Sequence, residues 1–317
     1  MPRRWMCVPL VLLTLAGPWA DALPAVADGT PSVAGTSATP EAPVLSSPFD
    51  VGGRNLFLRC IGSGGPTVIL EAGYGDDGTI WAPVQLRLSA SVRVCSYDRA
   101  GLSRSDPPDH RPRTAADVVA DLHALLGAAD VAPPYVLAGH SYGGLFTRLF
   151  AATYPAEVAG MVLVDAWHED YDARLRALVS PEQWTEYEAL LAQDPDYEAV
   201  DFEASYAELR AAPPLRPMPL VVLSHGRPPD PSCCPPGWPL AAQERLWQEL
   251  QANLAGLVPN SHHLVVAESG HGIAQAEPEV VVAAIQSVVA AVRQPETWGA
   301  ASVGAAGGSL AAALPAA

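Results

Sequence analysis

A serine held between glycines, a histidine held between glycines and an aspartate closing an apolar run are the residues of this chain best suited to attack a carbonyl. Ser141 stands in Gly139-His140-Ser141-Tyr142-Gly143, after the apolar run Tyr135-Val136-Leu137-Ala138 and before residues 144–154, which read as a helix stopped by Pro155. A G-x-S-x-G between a strand and a helix is a nucleophile elbow. Its turn is so tight that the serine takes a strained backbone conformation, and flanking glycines remove the side chains that would collide. The hydroxyl is thereby held at the amino end of a helix, whose partial positive charge favours an oxyanion.

A serine hydroxyl is a poor nucleophile near neutral pH. It needs a base within hydrogen-bond reach, and the base needs a carboxylate to fix its tautomer. The candidate base is His271, in Glu268-Ser269-Gly270-His271-Gly272, just past the carboxyl end of the last expected strand, where an open parallel sheet forms its ligand crevice. His262 and His263 begin that strand, at its other end. His140 adjoins the serine but is expected to point away, and His110, His123, His168 and His225 read as surface or packing histidines.

Two aspartates satisfy the order Ser, Asp, His: Asp165, directly after Met161-Val162-Leu163-Val164, and Asp230, in the loop after Leu220-Leu223. Asp165 is aimed by a buried strand. Asp230 is hemmed by Pro228, Pro229 and Pro231, which stiffen its loop without fixing its direction. Asp165 is therefore favoured over Asp230, with Glu268 third. The oxyanion requires two backbone donors. One is the amide of Tyr142. The other is expected in the turn Glu71-Ala72-Gly73-Tyr74-Gly75, with Tyr74 as its donor.

These groups have to be positioned by strands that alternate with helices. Strands are expected at residues 67–71, 91–97, 135–138, 158–164, 220–223 and 263–267, after a hairpin around Gly52-Gly53. Helices are expected at 114–127, 144–154, 241–257 and 278–292. The pattern predicts an α/β fold with a mostly parallel, doubly wound sheet covered on both faces. Residues 167–217 interrupt the rhythm with acidic helical pieces, a length expected of a helical cap over the site rather than an ordinary connection.

Composition excludes several alternatives. The 317-residue chain contains no lysine, so Schiff-base chemistry, pyridoxal phosphate anchoring and a P-loop are ruled out. With 18 basic against 34 acidic residues the formal charge is −16, which argues against nucleic acid and anionic membranes as partners. Arg3-Arg4, the apolar stretch 5–16 and small residues near Ala22 and Ala27 read as a secretory signal over 1–27. The apolar stretch is too short for a membrane anchor, so no stable membrane span is expected after cleavage. A linker is expected at 28–45, the folded domain at 46–293 and a low-complexity tail at 294–317.

Export would place the chain outside the cell or in the periplasm, where disulfides persist. Cys60 and Cys95 would bridge if their strands are neighbours. Cys233 and Cys234, adjacent in a proline-rich loop, would form a vicinal bridge or stay reduced. Neither pair has metal-binding spacing, and no metal or organic cofactor is implied.

Taken together, Glu71-Ala72-Gly73-Tyr74-Gly75, the segment from Ser96-Tyr97-Asp98-Arg99-Ala100-Gly101 to Ser105, Gly139-His140-Ser141-Tyr142-Gly143-Gly144 and Ser269-Gly270-His271 resemble, in order, the landmarks of the α/β-hydrolase superfamily. The resemblance spans about residues 49–292. It implies the α/β-hydrolase sheet and a serine hydrolase acting on a small acyl substrate, a carboxylesterase first of all. It also implies that Asp98 and Arg99 form a structural ion pair. Ala72 replaces the usual histidine of the first landmark, and a serine nucleophile argues against the dehalogenase and epoxide hydrolase branches. The family acid most often follows the strand containing Leu220, which would make it Asp230; in some branches it follows the preceding strand, which would make it Asp165. Other activities on this scaffold are amide cleavage of the prolyl-aminopeptidase type, cofactor-free haloperoxidase or perhydrolase chemistry, and non-catalytic binding.

Overall fold

The computed structural model describes residues 44–191, 198–231 and 237–298. The signal at 1–27, nearly all of the linker, Cys233 and Cys234, and the tail beyond Trp298 lie outside the described residues. The first strand, β1 (Val44–Asp50), takes the last two residues expected in the linker and pairs antiparallel with β2 (Asn55–Ile61) around the Gly52-Gly53 turn.

The remaining strands are β3 (Thr67–Glu71), β4 (Val94–Tyr97), β5 (Tyr135–His140), β6 (Val158–Val164), β7 (Leu220–His225) and β8 (His262–Val266). They form one eight-stranded sheet in the order β1-β2-β4-β3-β5-β6-β7-β8, in which every pairing from β4 to β8 is parallel. β3, β5 and β7 are buried along their whole length, as expected of strands covered on both faces. Their side chains alternate between two cores. Tyr135 and Leu137 of β5 join one core and Val136 and Ala138 the other.

The first core is closed by α2 (Ala115–Ala128), α3 (Gly143–Thr153) and α7 (Leu240–Ala255), through residues such as Leu122, Phe146 and Leu250. The second is closed by α1 (Ala82–Leu88) and α9 (Pro278–Arg293), through Val84, Leu88, Ile285 and Val288. Thr114 caps α2 as expected, its amide donating to Asp117 Oδ2 at 2.8 Å. α1 and the four-residue α8 (Ile273–Ala276) were not expected, being too short to show a helical period.

Between β6 and β7 run α4 (Tyr171–Arg176), α5 (Pro181–Leu191) and α6 (Phe202–Ala211). Cys60 and Cys95 face each other across the antiparallel β2–β4 pair and form a disulfide. No helix among the described residues is long and apolar enough to cross a membrane.

Candidate active site

Ser141 occupies the turn between β5 and α3 with φ +52°, in the left-handed region where a residue with a side chain is strained. The turn tolerates nothing larger than glycine at its flanks. A methyl group on Gly139 would lie 2.5 Å from the carbonyl oxygen of Gly143, and one on Gly143 would lie 2.5 Å from the carbonyl oxygens of Glu71 and Ala72. The strain is held in place by backbone bonds. The Ser141 amide donates to Val164 O at 3.2 Å, and its carbonyl accepts from Gly144 at 2.9 Å and from Trp167 at 2.9 Å.

Nδ1 of His271 lies 2.6 Å from Asp165 Oδ2. A carboxylate accepts only, so the proton of a neutral His271 sits on Nδ1 and leaves Nε2 with a bare lone pair. That Nε2 is buried and has no hydrogen-bond partner among the described residues. The structure therefore sets Asp165 against His271. Asp230 is exposed in the loop after β7, and Glu268 forms an exposed pair with Arg227 at 2.9 Å.

Asp165 follows β6 with φ +46° and is fully buried. Burial alone would push its carboxyl up. Hydrogen bonds from His225 and His271, and the charge of both rings, outweigh that and hold it well below the usual carboxylate range. Its donors include the amide of His225 at 3.0 Å and the indole N–H of Trp247 at 2.9 Å, both on Oδ1.

Sequence reasoning missed the support from α7. Glu244, Trp247, Gln248 and Gln251 lie at i, i+3, i+4 and i+7, on one face of the helix. They reach, in turn, His225 Nε2 at 3.0 Å, Asp165 Oδ1 at 2.9 Å, His225 O at 2.7 Å and Ala166 O at 2.7 Å. Polar residues at core-facing spacing were the available signal.

Two expectations are corrected. His140 does not point away: its Nε2–H donates to the carbonyl of His271 at 3.0 Å, and the two rings are 4.7 Å apart. The tight turn before the serine leaves the His140 side chain facing the loop that carries His271. Burial, then the charge of His271, push His140 down to about 3, so its Nδ1 is a bare and unpartnered nitrogen. Asp98 and Arg99 do not pair either. Asp98 binds Arg104 at 2.7 Å, while Arg99 turns inward to Glu71 at 2.7 Å and to Glu198. Glu71 and Glu198 together surround the guanidinium with two carboxylates, while Asp98, equally buried, is satisfied by Arg104 and the Gly78 amide.

Arg99 also fixes the turn after β3, with Nη1 on Ala72 O at 2.7 Å and Nη2 on Gly73 O at 2.5 Å. The Gly75 amide of the same turn donates to Glu198 Oε1 at 2.7 Å, and the turn packs against the serine. Gly73 is close to it: a methyl group there would be 3.3 Å from Ser141 Cβ, 3.2 Å from His140 Nδ1 and 3.2 Å from Asp76 Oδ2. Burial pushes the Asp76 carboxyl up to about 6, against the pull of Arg99 and His271.

Tyr142, expected as an oxyanion donor, immediately precedes α3, and Tyr74 is half-buried with its ring 6.0 Å from that of Tyr142. The helices between β6 and β7 lock this region. The Tyr142 ring stacks on Trp167 at 4.5 Å, and its hydroxyl meets that of Tyr206 at 2.9 Å. Tyr206 and Tyr187 donate to the two oxygens of Asp172 at 2.6 and 2.7 Å.

Asp165, His225 and His271 also bring donor atoms of metal-ligating type within 4.8 Å of one another. The direct hydrogen bonds among them already satisfy those atoms.

The chain matches a family model described as "Alpha/beta hydrolase family" over residues 68–284. It is similar to an uncharacterised protein of Bacillus subtilis (strain 168), YqjL, with 32% identity over 234 residues, 74% of this chain and 87% of that protein. It is 26% identical over 242 residues to a putative carbamate hydrolase, RutD, of Pantoea ananatis (strain LMG 20103), covering 67% of this chain and 84% of the relative. Among solved structures, a thermophilic esterase from Thermogutta terrifontis shares the fold with a TM-score of 0.55 at 20% identity, over 78% of this chain and 99% of the esterase.

Proposed function

We propose that this chain, which belongs to the alpha/beta hydrolase family, is an exported serine hydrolase that cleaves carboxylic esters through an acyl-enzyme. The observation that carries the reading is the buried bare Nε2 of His271, oriented by Asp165, at the same sheet edge as a serine held in a strained elbow.

In this reading Ser141 Oγ attacks the acyl carbonyl while His271 Nε2 takes its proton. The carbonyl becomes an oxyanion, held by the amides of Tyr142 and Tyr74. The bond to the leaving oxygen then breaks, and the imidazolium returns the proton to the departing alkoxide as it becomes an alcohol. Water repeats the sequence on the acyl-serine and releases the acid. Asp165 stays ionised throughout and stabilises the imidazolium. α4 to α6 act as the cap that shapes the acyl pocket.

The test is a fluorophosphonate label with turnover of short-chain aryl esters. Ser141 should be labelled and the esters cleaved, and Ser141→Ala should lose both. An unlabelled, inactive wild-type chain would end the proposal. Aminopeptidase substrates and carbamates belong in the same assay, because similarity to a putative carbamate hydrolase supports C–N cleavage as the second reading. Export rests on residues 1–27, and the Cys60–Cys95 disulfide suits an oxidising compartment. Amino-terminal sequencing of the processed chain tests it.

A further inference from the structure

Asp165 serves two histidines. Its Oδ2 lies 2.6 Å from Nδ1 of His271 and 2.7 Å from Nδ1 of His225. The other ring nitrogen of His225, Nε2, lies 3.0 Å from Glu244 Oε2. Carboxylate oxygens accept and never donate, so a ring with each nitrogen against such an oxygen carries a proton on both. His225 is thus built as a cation between two anions, almost wholly shielded from solvent, with 4% of its side chain exposed.

We propose that His225 is a constitutive imidazolium, clamped by Glu244, that acts as a positioning residue behind Asp165 and fixes the carboxylate that orients His271. The proposal rests on the triad reading above. It differs from a lone carboxylate behind a base in two respects. The amide and Nδ1 of His225 bind both oxygens of Asp165, which fixes the rotation of the carboxylate and aims Oδ2 at His271. The cation also keeps Asp165 ionised against its burial, so the carboxylate stays an acceptor for the Nδ1 proton of His271.

The electrostatic environment agrees with this. Burial disfavours the charged ring, but the hydrogen bonds and charges of Asp165 and Glu244 win and push His225 up to about 10. Asp165 and Glu244 face His225 directly, and His271 and Tyr171 share the charge of Asp165. His271 is faced by Asp165, by His140 and by Asp76. Asp76 titrates in the range of interest, so the comparison is repeated in an Asp76→Asn background.

The experiment follows the histidine ring nitrogens of the full, 15N-labelled chain by NMR against pH. His225→Gln and Glu244→Gln are the variants. In the wild type, His225 should show two protonated ring nitrogens up to at least about pH 8. In Glu244→Gln the titration of His225 should fall by about one pH unit or more, because one of its two counter-charges is gone. In His225→Gln the rate of Ser141 labelling by a fluorophosphonate should fall about tenfold, with its half-saturating probe concentration unchanged. A wild-type His225 ring that is neutral at pH 7.5, a His225 titration that stays in place in Glu244→Gln, or a wild-type labelling rate in a folded His225→Gln overturns the proposal. Should the wild type not react with the probe at all, the triad reading fails, while the NMR titrations still decide the charge of His225. If His225→Gln does not fold, Glu244→Gln, at the outer end of the chain of bonds, carries the test.

Discussion

The indole N–H of Trp247 donates to Asp165 Oδ1 at 2.9 Å, so the helix after β7 reaches back to hold a carboxylate that follows β6. Asp165 is fully buried, and a buried carboxylate is tolerated only when its lone pairs are satisfied. Trp247→Phe keeps most of the ring and removes the donor. It should cost about 1–3 kcal/mol of stability, and turnover should fall as the carboxylate gains freedom. Urea unfolding and ester kinetics measure the two effects; wild-type values in both would dismiss the role given to Trp247.

The two aspartates weighed from the sequence are separable by one substitution each. Asp165→Asn should lower kcat by about 10³-fold or more, because an amide in place of the carboxylate no longer enforces the bare Nε2 on His271. Asp230→Asn, on an exposed loop, should stay within about threefold of wild type. The reverse ranking would move the acid to the loop after β7.

The disulfide offers a stability test independent of chemistry. Cys60 and Cys95 are 35 residues apart, and closing a loop of that length restricts the unfolded chain by about 4 kcal/mol in the chain-entropy view. The double variant Cys60→Ala/Cys95→Ala should lose roughly that amount in urea unfolding. Dithiothreitol should lower the wild-type midpoint and leave the variant untouched. A reductant effect on the variant would point to another bridge.

His140 should leave a mark on stability against pH. Its folded ring is pushed down to about 3, whereas the unfolded ring titrates near 6.5. Between those values the unfolded chain binds a proton that the folded chain refuses, so stability rises with pH across the window. The contribution is complete above about pH 6.5 and is lost as the pH falls toward 3. His140→Gln keeps a donor for the His271 carbonyl and should flatten this acid arm. Unfolding midpoints at half-unit pH steps report it, and an unchanged slope would contradict the assigned burial.

Much of this arrangement was legible in the chain. β6 coincides with its expected bounds, because an uninterrupted apolar run leaves little choice. The elbow was readable because only a tight turn needs glycine at both Gly139 and Gly143. His225 was not readable as part of the site. A histidine ending an apolar strand looks like packing until α7 brings Glu244 to its far side, and that approach depends on how the helix docks. Arg99 was misassigned for a related reason: Glu198 lies 99 residues away, and nothing local to Asp98-Arg99 indicates a distant and better partner.

Glu198 is buried just before α6, in the stretch between β6 and β7, accepts from the Gly75 amide at 2.7 Å, and is bound to Arg99, which holds the Ala72 and Gly73 carbonyls. The stretch is therefore not a portable module. Grafting a foreign insert at residues 167–217 to change substrate preference would strip Arg99 of a counter-charge and loosen the backbone opposite Ser141. A chimera would have to bring its own carboxylate to that point, or recruit a new partner for the guanidinium, before any gain in selectivity could be seen.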